Sequence, residues 1–187
     1  SRRRHTRFRN VTGVQTCALP ISTTAPTGFT HSALITSLSA YTAASGDYRG
    51  FRQRIEGFNV ADLDWGTANA KTVTLSFWVR SSLTGTFGGS LINDPYNRSY
   101  PFTFAISSAN TWEYKSITVA GDTTGTWYKN TSAGLDVVFD TGAGSSSRGT
   151  AGSWAAAGYW GATGAVSLVG TLNATFYITG VQLEAGS

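Results

Sequence analysis

The chain has 187 residues and a formal net charge of +4, and only 13% of its residues are charged. Its many aromatic residues exclude a disordered chain, because they supply enough apolar surface to drive collapse. A single cysteine excludes a disulfide framework, and the sequence has no apolar run of the length that spans a bilayer.

Residues 1–21 stand apart from the rest of the chain. Reverse translation of residues 1–7 and 11–21 yields DNA that resembles the two constant parts of a sequencing-library adapter, in one reading frame. We therefore expect residues 1–22 to be a translated adapter outside the fold. Residues 23–187 are expected to be a single domain, truncated at both ends.

Residues 1–21, which we call the leader, also explain the basic composition of the chain. Five of the fourteen Lys and Arg residues lie in the leader, which leaves nine against ten Asp and Glu and a net charge of −1. Nucleic-acid binding is therefore not expected, because it needs a basic surface.

The first elements predicted after the leader are strands over residues 32–39 and 48–56. In the second strand the side chains alternate between two faces. Residues 59–65 predict a single helical turn with Asn59 as its N-cap. The polar face of the second strand is Arg52, Arg54 and Glu56, and the opposite face is Phe51, Gln53 and Ile55.

Residues 71–81 (KTVTLSFWVRS) form the clearest predicted strand, because apolar and polar positions alternate along its whole length. One face is apolar and is expected in the core. The other is mostly polar and carries one large aromatic residue. The apolar set is Val73, Leu75, Phe77 and Val79, and the opposite set is Thr72, Thr74, Ser76, Trp78 and Arg80.

Weaker strands follow at residues 99–106, 111–119 and 134–140, separated by turn-forming residues. Residues 141–165 contain seven glycines and predict a long loop, with a short strand near residues 153–156. Trp127 and Trp160, in turn-rich and Gly-rich surroundings, are expected to be the more exposed tryptophans.

Residues 174–184 form the last predicted strand, with both faces partly apolar, as in a central strand between layers. Many short strands with turn clusters between them predict an all-β fold, a two-sheet antiparallel β-sandwich or barrel. In the last strand Tyr177, Thr179, Val181 and Leu183 oppose Phe176, Ile178, Gly180 and Gln182.

Catalysis has little support in the sequence. His31 is the only histidine after the leader, and no nucleophile elbow accompanies it. Paired-carboxylate glycoside hydrolysis has candidates, but turn and cap roles explain several of them equally well. Oxygen ligands from Asp62, Asp64 or Asp122 are weak candidates for a structural calcium ion. The carboxylate candidates are Glu56, Asp62, Asp64, Asp94 and Glu113.

Carbohydrate binding has the strongest support from composition. Sugars present flat C–H faces that stack on aromatic rings, while amide, guanidinium and carboxylate groups bind their hydroxyls. Trp78 and Arg80 share the non-core face of the clearest strand, and the strand over 48–56 offers a second polar face. The predicted ligand-binding residues are Gln53, Glu56, Trp78, Arg80 and Trp160.

Four stretches carry a resemblance: QRIEG at 53–57, KTVTLSFWVRS at 71–81, NTWEYK at 110–115 followed by AGDT at 120–123, and FYITGVQLE at 176–184. They resemble structural domains of tailed-phage virion proteins, often tail-fibre-like, over nearly all of residues 27–187. The strand order also resembles that of the jelly-roll carbohydrate-binding modules. The resemblance implies a two-sheet jelly roll in a virion or extracellular protein, with no catalytic motif to transfer.

The leading hypothesis is a non-catalytic phage tail-fibre-like domain that binds cell-surface glycans. Its expected partners are a cell-surface polysaccharide and other virion proteins, in a homotrimer or array, without membrane insertion. A structural or decoration module of the virion and an accessory module of a polysaccharide-degrading enzyme remain as alternatives. No cofactor is expected beyond the calcium candidates.

Overall fold

The computed structural model describes residues 21–186, and in this part of the chain every extended element is a β-strand and every helical turn is a short 3-10 turn. The all-β prediction is confirmed. The predictions for residues 1–20 lie outside the described residues. The strands are β1 (Ile21–Ser22), β2 (Ser32–Thr36), β3 (Gly50–Glu56), β4 (Val73–Ser81), β5 (Gly85–Ile92), β6 (Ser99–Ile106), β7 (Glu113–Val119), β8 (Ala133–Asp140), β9 (Arg148–Gly149), β10 (Gly161–Ala162) and β11 (Thr175–Ala185).

Two antiparallel sheets pack face to face in a jelly-roll sandwich, as the sequence predicts. The five-stranded sheet has the order β1-β2-β11-β4-β7, and the four-stranded sheet has the order β3-β8-β5-β6. The short strands β9 and β10 form a separate parallel pair. All seven strands expected from the sequence are present, and the one over residues 99–106 has the predicted bounds.

Phenylalanine rings from both sheets fill the space between them. Phe77 of β4 lies 5.0 Å from the rings of Phe104 and Phe139, both edge-on. Such edge-to-face pairs add about 0.5–1.5 kcal/mol each beyond the burial of their surface. The rings of this core belong to Phe51, Phe77, Phe87, Phe102, Phe104, Phe139 and Phe176.

Strand β4 follows its predicted alternation. Val73, Leu75, Phe77 and Val79 are fully buried, and Trp78 and Arg80 are half-buried on the outer face. The inner face therefore packs on the phenylalanine core, and the outer face is left for other contacts.

Strand β11 does not keep one alternation along its length, which corrects the prediction for residues 174–184. Its pairing with β4 shifts between Thr179 and Gln182, and Gly180 has φ +62°. This bulge moves the core-facing positions, so that Phe176 and Ile178 precede it and Val181 and Leu183 pack against the core after it. Glycine adopts this left-handed conformation without the steric cost that a Cβ imposes.

Strand β5 was not predicted, because its sequence GTFGGSLI has glycines where side chains normally mark alternation. It lies between β8 and β6 in the four-stranded sheet. A Cβ on Gly89 would collide with the Val138 carbonyl oxygen and come within 2.5 Å of the Phe102 ring. Glycine is therefore required here by close packing and not by a turn.

The centre of the outer face of the four-stranded sheet is buried under the chain itself, whereas Arg54 of β3 and Thr103 of β6 stay exposed on that face. Residues 141–170, which we call the covering segment, return across this face, and β10 contacts β5, β6 and β8. Val138 and Ser90, which point outward from the sheet, are fully buried. The loop predicted over residues 141–165 is thus a packed layer. Its bridge between Ala155 and Ser99 coincides with the short strand expected near residues 153–156.

An ion pair fastens the covering segment to the sheet. Arg148 Nη2 lies 2.8 Å from Asp140 Oδ2, and Arg148 Nη1 donates to the Ala165 carbonyl at 2.8 Å. The backbone N–H groups of Gly142 and Ala143 both donate to Asp140 Oδ1 at 2.7 Å. Burial raises the pKa of Asp140, against the opposing effect of the Ala143 N–H and Arg148.

The helical turn expected at residues 59–65 is two 3-10 turns, Gly57–Asn59 and Ala61–Leu63. Asn59 is the last residue of the first turn, so its predicted role as N-cap is wrong. Glu56 and Val60 precede the turns, and neither forms a side-chain cap hydrogen bond. Leu63 is buried and anchors this segment to the core.

Ile21 and Ser22 pair with Ala33 and Ser32 at the edge of the five-stranded sheet. Ile21 is 79% exposed, so this short pairing adds little to the core. The assignment of residues 1–22 to an adapter stays a prediction.

Candidate functional site

The outer face of the five-stranded sheet presents aromatic side chains from three neighbouring strands. Antiparallel pairing places Trp78 of β4 opposite Tyr114 of β7, and Arg80 of β4 opposite Tyr177 of β11. Directly paired residues lie close together on one side of a sheet, so these four side chains form one surface. We call it the aromatic face.

Tyr114 is the most accessible ring of the aromatic face. Its side chain is 54% exposed, and its ring centroid lies 5.5 Å from that of the half-buried Trp78. Trp78 thus packs beside the tyrosine from the neighbouring strand. Because the phenol ring is held in place while much of it remains in contact with solvent, it can accept a flat apolar partner.

Arg80 lies beside this aromatic pair and brings hydrogen-bond donors. Its guanidinium carbon is 5.1 Å from the centroid of Tyr177, and its Nε donates to the Asn110 carbonyl at 2.8 Å. Trp112, just before β7, contacts Tyr177 edge-on at 6.1 Å. These contacts fix the arginine, and its two Nη groups have no hydrogen-bond partner within residues 21–186.

The structure does not bring all predicted ligand-binding residues together. Trp78 and Arg80 lie on the aromatic face, whereas Gln53, Glu56 and Trp160 belong to the other side of the sandwich. Gln53 occupies the same side of β3 as the core residue Phe51, and its Nε2 donates to the Arg54 carbonyl at 2.6 Å. Glu56 ends β3 with an exposed side chain. The five residues therefore cannot contact one small saccharide.

Trp160 lies at the rim of the four-stranded sheet, where the covering segment passes β3. Its ring centroid is 4.9 Å from that of Tyr48, and the Arg52 guanidinium carbon is 5.4 Å from the Trp160 ring. Sequence reasoning missed Tyr48 and Tyr114, because nothing in the linear pattern shows which tryptophan each would join.

Trp127 is partly buried, in the same range of exposure as Trp160, Trp78 and Trp154. It packs edge-on against Trp65 at 4.8 Å and Trp154 at 5.5 Å. Its indole N–H donates to the Thr124 carbonyl at 3.1 Å. This group of three tryptophans packs against the core.

Two of the calcium candidates, Asp122 and Asp64, have cationic partners for their carboxylates, whereas the contact of Asp62 is through its backbone carbonyl. Asp122 is buried and accepts two hydrogen bonds from Arg98, at 2.7 Å each. Asp64 lies 3.3 Å from Lys129 Nζ, and the Asp62 carbonyl accepts from Lys71 Nζ at 2.6 Å. Within residues 21–186, no group of three or more His, Cys, Asp and Glu side chains is placed to hold a metal ion.

The catalytic candidates are likewise dispersed. His31 is exposed and its Nδ1 lies 2.9 Å from the hydroxyl of Thr30. Glu113 accepts hydrogen bonds from the backbone N–H groups of Ser107 and Ser108, at 2.8 and 3.0 Å, and pairs with Lys115. Asp94 pairs with Arg54 at 3.4 Å. These contacts give Glu113 a loop-capping role and Asp94 an ion-pair role.

No helix in the described part of the chain has the length and apolar character of a membrane span.

No protein-family model and no curated protein matches the sequence. Among solved structures, a putative sugar-binding protein from Bacteroides thetaiotaomicron matches with a TM-score of 0.51 and 11% identity, covering 96% of this chain and 86% of that one. The tailspike protein 4 enzymatically active domain of bacteriophage CBA120 matches with a TM-score of 0.50 and 12% identity, over 94% of this chain and 18% of that one. A xylan-binding domain from Paenibacillus barcinonensis matches with a TM-score of 0.46 and 17% identity, covering 92% and 89%. At these identities the first two likenesses show the fold alone.

Proposed function

We propose that this chain is a non-catalytic, glycan-binding domain of a phage virion protein, and that the aromatic face is its binding surface. One observation carries the proposal: the pairing of β7, β4 and β11 aligns Tyr114, Trp78, Arg80 and Tyr177 on an open sheet face. Aromatic rings beside a guanidinium group match the two kinds of surface that a sugar presents.

Each residue has a distinct role in this proposal. Tyr114, with Trp78 beside it, stacks on the C–H face of one sugar ring. Arg80 donates hydrogen bonds through its Nη groups to the hydroxyls of the same or the next sugar. The surface is shallow, so a single domain binds weakly, and display of several copies on a fibre raises the overall avidity.

The virion placement draws on the sequence resemblance of residues 53–57, 71–81 and 176–184 to tail-fibre-like proteins. The solved structures of similar fold include a phage tailspike and a putative sugar-binding protein, and both roles are compatible with the proposal. The activities of those two proteins are not transferred to this chain.

The proposal is tested with the full chain, biotinylated and displayed on streptavidin, on an array of bacterial polysaccharides and lipopolysaccharides. We expect binding to one glycan class, and about a tenfold loss of affinity in Tyr114→Ala, which corresponds to about 1.4 kcal/mol. Trp78→Ala is expected to weaken binding similarly. Phe58→Ala is the matched control, because Phe58 is also an exposed aromatic residue, at 62%, on another part of the surface.

Two outcomes would overturn the proposal. Silence of the wild-type protein across the whole array would favour a structural or decoration module. Release of new reducing ends from the bound glycan would show that the chain is an enzyme.

A further inference from the structure

The rim of the four-stranded sheet carries a second set of aromatic and polar side chains, on the opposite side of the sandwich from the aromatic face. Tyr48, Trp160, Arg52, Tyr96, Arg54 and Asp94 form a continuous chain of contacts there, which we call the rim cluster. We propose that the rim cluster is a second saccharide site, selective for uncharged sugars. This inference rests on the proposed glycan-binding function and extends it to a second surface.

The aromatic end of the rim cluster offers a stacking surface. Tyr48 is 63% exposed, and its ring lies against Trp160 at 4.9 Å with an angle of 33° between the planes. Trp160 in turn is held by its backbone N–H, which donates to the Ser147 carbonyl at 2.8 Å. An exposed tyrosine supported by a tryptophan therefore occurs on both sides of the sandwich.

The polar end of the rim cluster is held by a hydrogen-bond network that is anchored on the buried Asp136. Arg52 Nη1 and Arg54 Nη2 both donate to the Tyr96 hydroxyl, which donates to Asp136 Oδ2 at 3.0 Å. Arg52 also pairs with Asp136 at 3.0 Å, and the Asp136 side chain is fully buried. Burial raises the pKa of Asp136, although the two arginines and the Tyr96 hydroxyl oppose this effect.

The donors Arg52 and Arg54 and the acceptor Asp94 all reach the solvent. The Arg54 side chain is about half exposed, and the carboxylate of Asp94 lies 3.4 Å from its Nη2. A guanidinium beside a carboxylate can donate to one sugar hydroxyl and accept from its neighbour. Strand residues rise by about 3.3 Å each, so Arg52 and Arg54 are about 7 Å apart along β3. The rim cluster is thus long enough for more than one sugar ring.

The charge balance indicates the class of sugar. Two arginines, Arg52 and Arg54, face two carboxylates, Asp94 and Asp136, so the rim cluster has no excess positive charge. A uronate or phosphorylated sugar would place its own negative charge beside Asp94 without an unpaired cation to bind it. Neutral sugars avoid this repulsion.

The test follows the indole N–H signals of Trp160 and Trp78 by NMR, in the full chain, with each signal assigned from a Trp→Phe variant. The probes are neutral hexasaccharides of glucose, xylose, mannose and galactose, and an oligogalacturonate of the same length as the charged comparison. We expect at least one neutral hexasaccharide to shift the Trp160 signal saturably. Tyr48→Ala should abolish that shift and leave the Trp78 shift unchanged, and Asp94→Asn should weaken binding at the rim about fivefold.

The outcomes separate this inference from the proposed function. In Tyr114→Ala the Trp160 response should persist while the Trp78 response is lost, and Phe58→Ala should affect neither. If neutral sugars shift only the Trp78 signal, the second site does not exist, whereas the proposed function stands. A Trp160 response to oligogalacturonate alone would overturn the assigned sugar class. If the Trp160 signal responds to no probe, the second site is overturned, and the array result alone decides the proposed function.

Discussion

Removal of the Arg148 side chain tests whether the covering segment is fastened by a buried ion pair. Asp140 is fully buried and Arg148 is its only cationic partner within the described residues. Truncating one partner of a buried pair typically costs about 3–5 kcal/mol. We expect Arg148→Met to lower the free energy of unfolding by about 3 kcal/mol, at the low end of this range, because two backbone N–H groups still bind Asp140. That loss is a shift of about 1.5 M in the urea midpoint, for an m value of about 2 kcal/mol per molar.

The stability lost in Arg148→Met should be larger at neutral pH than at acidic pH. Burial already raises the pKa of Asp140 above its ordinary value of 3.8, and loss of Arg148 raises it further. The folded state then binds a proton that the unfolded state releases, so stability is gained as the pH falls through the raised pKa and lost as the pH rises through it. The destabilisation by Arg148→Met should therefore be smaller at pH 5 than at pH 7.

The assay is urea unfolding followed by tryptophan fluorescence at both pH values. The double variant Arg148→Met with Asp140→Asn completes the comparison, since it removes the buried charge that the single variant leaves unpaired. It should regain more than half of the lost stability at pH 7. The reasoning is refuted if the double variant is no more stable than Arg148→Met, or if the loss is the same at both pH values.

Three further predictions concern the core and its supports. Phe77→Ala should lower the free energy of unfolding by about 3–5 kcal/mol, because it empties the centre of the ring cluster, as measured by urea unfolding. Gly89→Ala should lower the thermal midpoint sharply, whereas Gly46→Ala, which meets no atom within 4 Å, should leave it nearly unchanged. Arg98→Lys should cost about 1–2 kcal/mol, since lysine cannot bind Asp122 through two parallel hydrogen bonds, and a cost below 0.5 kcal/mol would contradict this.

The sequence predicts most strands because alternation follows directly from burial. Residues 71–81 show this best, since Val73, Leu75, Phe77 and Val79 all lie in the core. Strand β5 escapes the same reasoning, because Gly88 packs against the covering segment and Gly89 against the neighbouring strands, and neither contact shows in the sequence. The bulge at Gly180 also escapes prediction from the sequence. One extra residue switches which side of β11 faces the core, and the apolar pattern of the strand shows no interruption there.

The candidate site was predictable only in part. Alternation places Trp78 and Arg80 on an outer face, and the structure agrees. Their neighbours depend on strand order, which brings β7 and β11 to either side of β4 although they are far apart in the chain. For the same reason the sequence could not show that Trp160 and β3 belong to the opposite side of the molecule.

Because of the covering segment, the two outer faces of the sandwich differ in how well they tolerate substitutions. Val138 and Ser90 lie beneath a packed layer, so a new side chain at either position must displace backbone. Replacing Tyr114, which is bounded by solvent, need not disturb the phenylalanine core. Related domains therefore acquire new recognition properties by exchanging side chains on the aromatic face, while the positions beneath the covering segment conserve the fold.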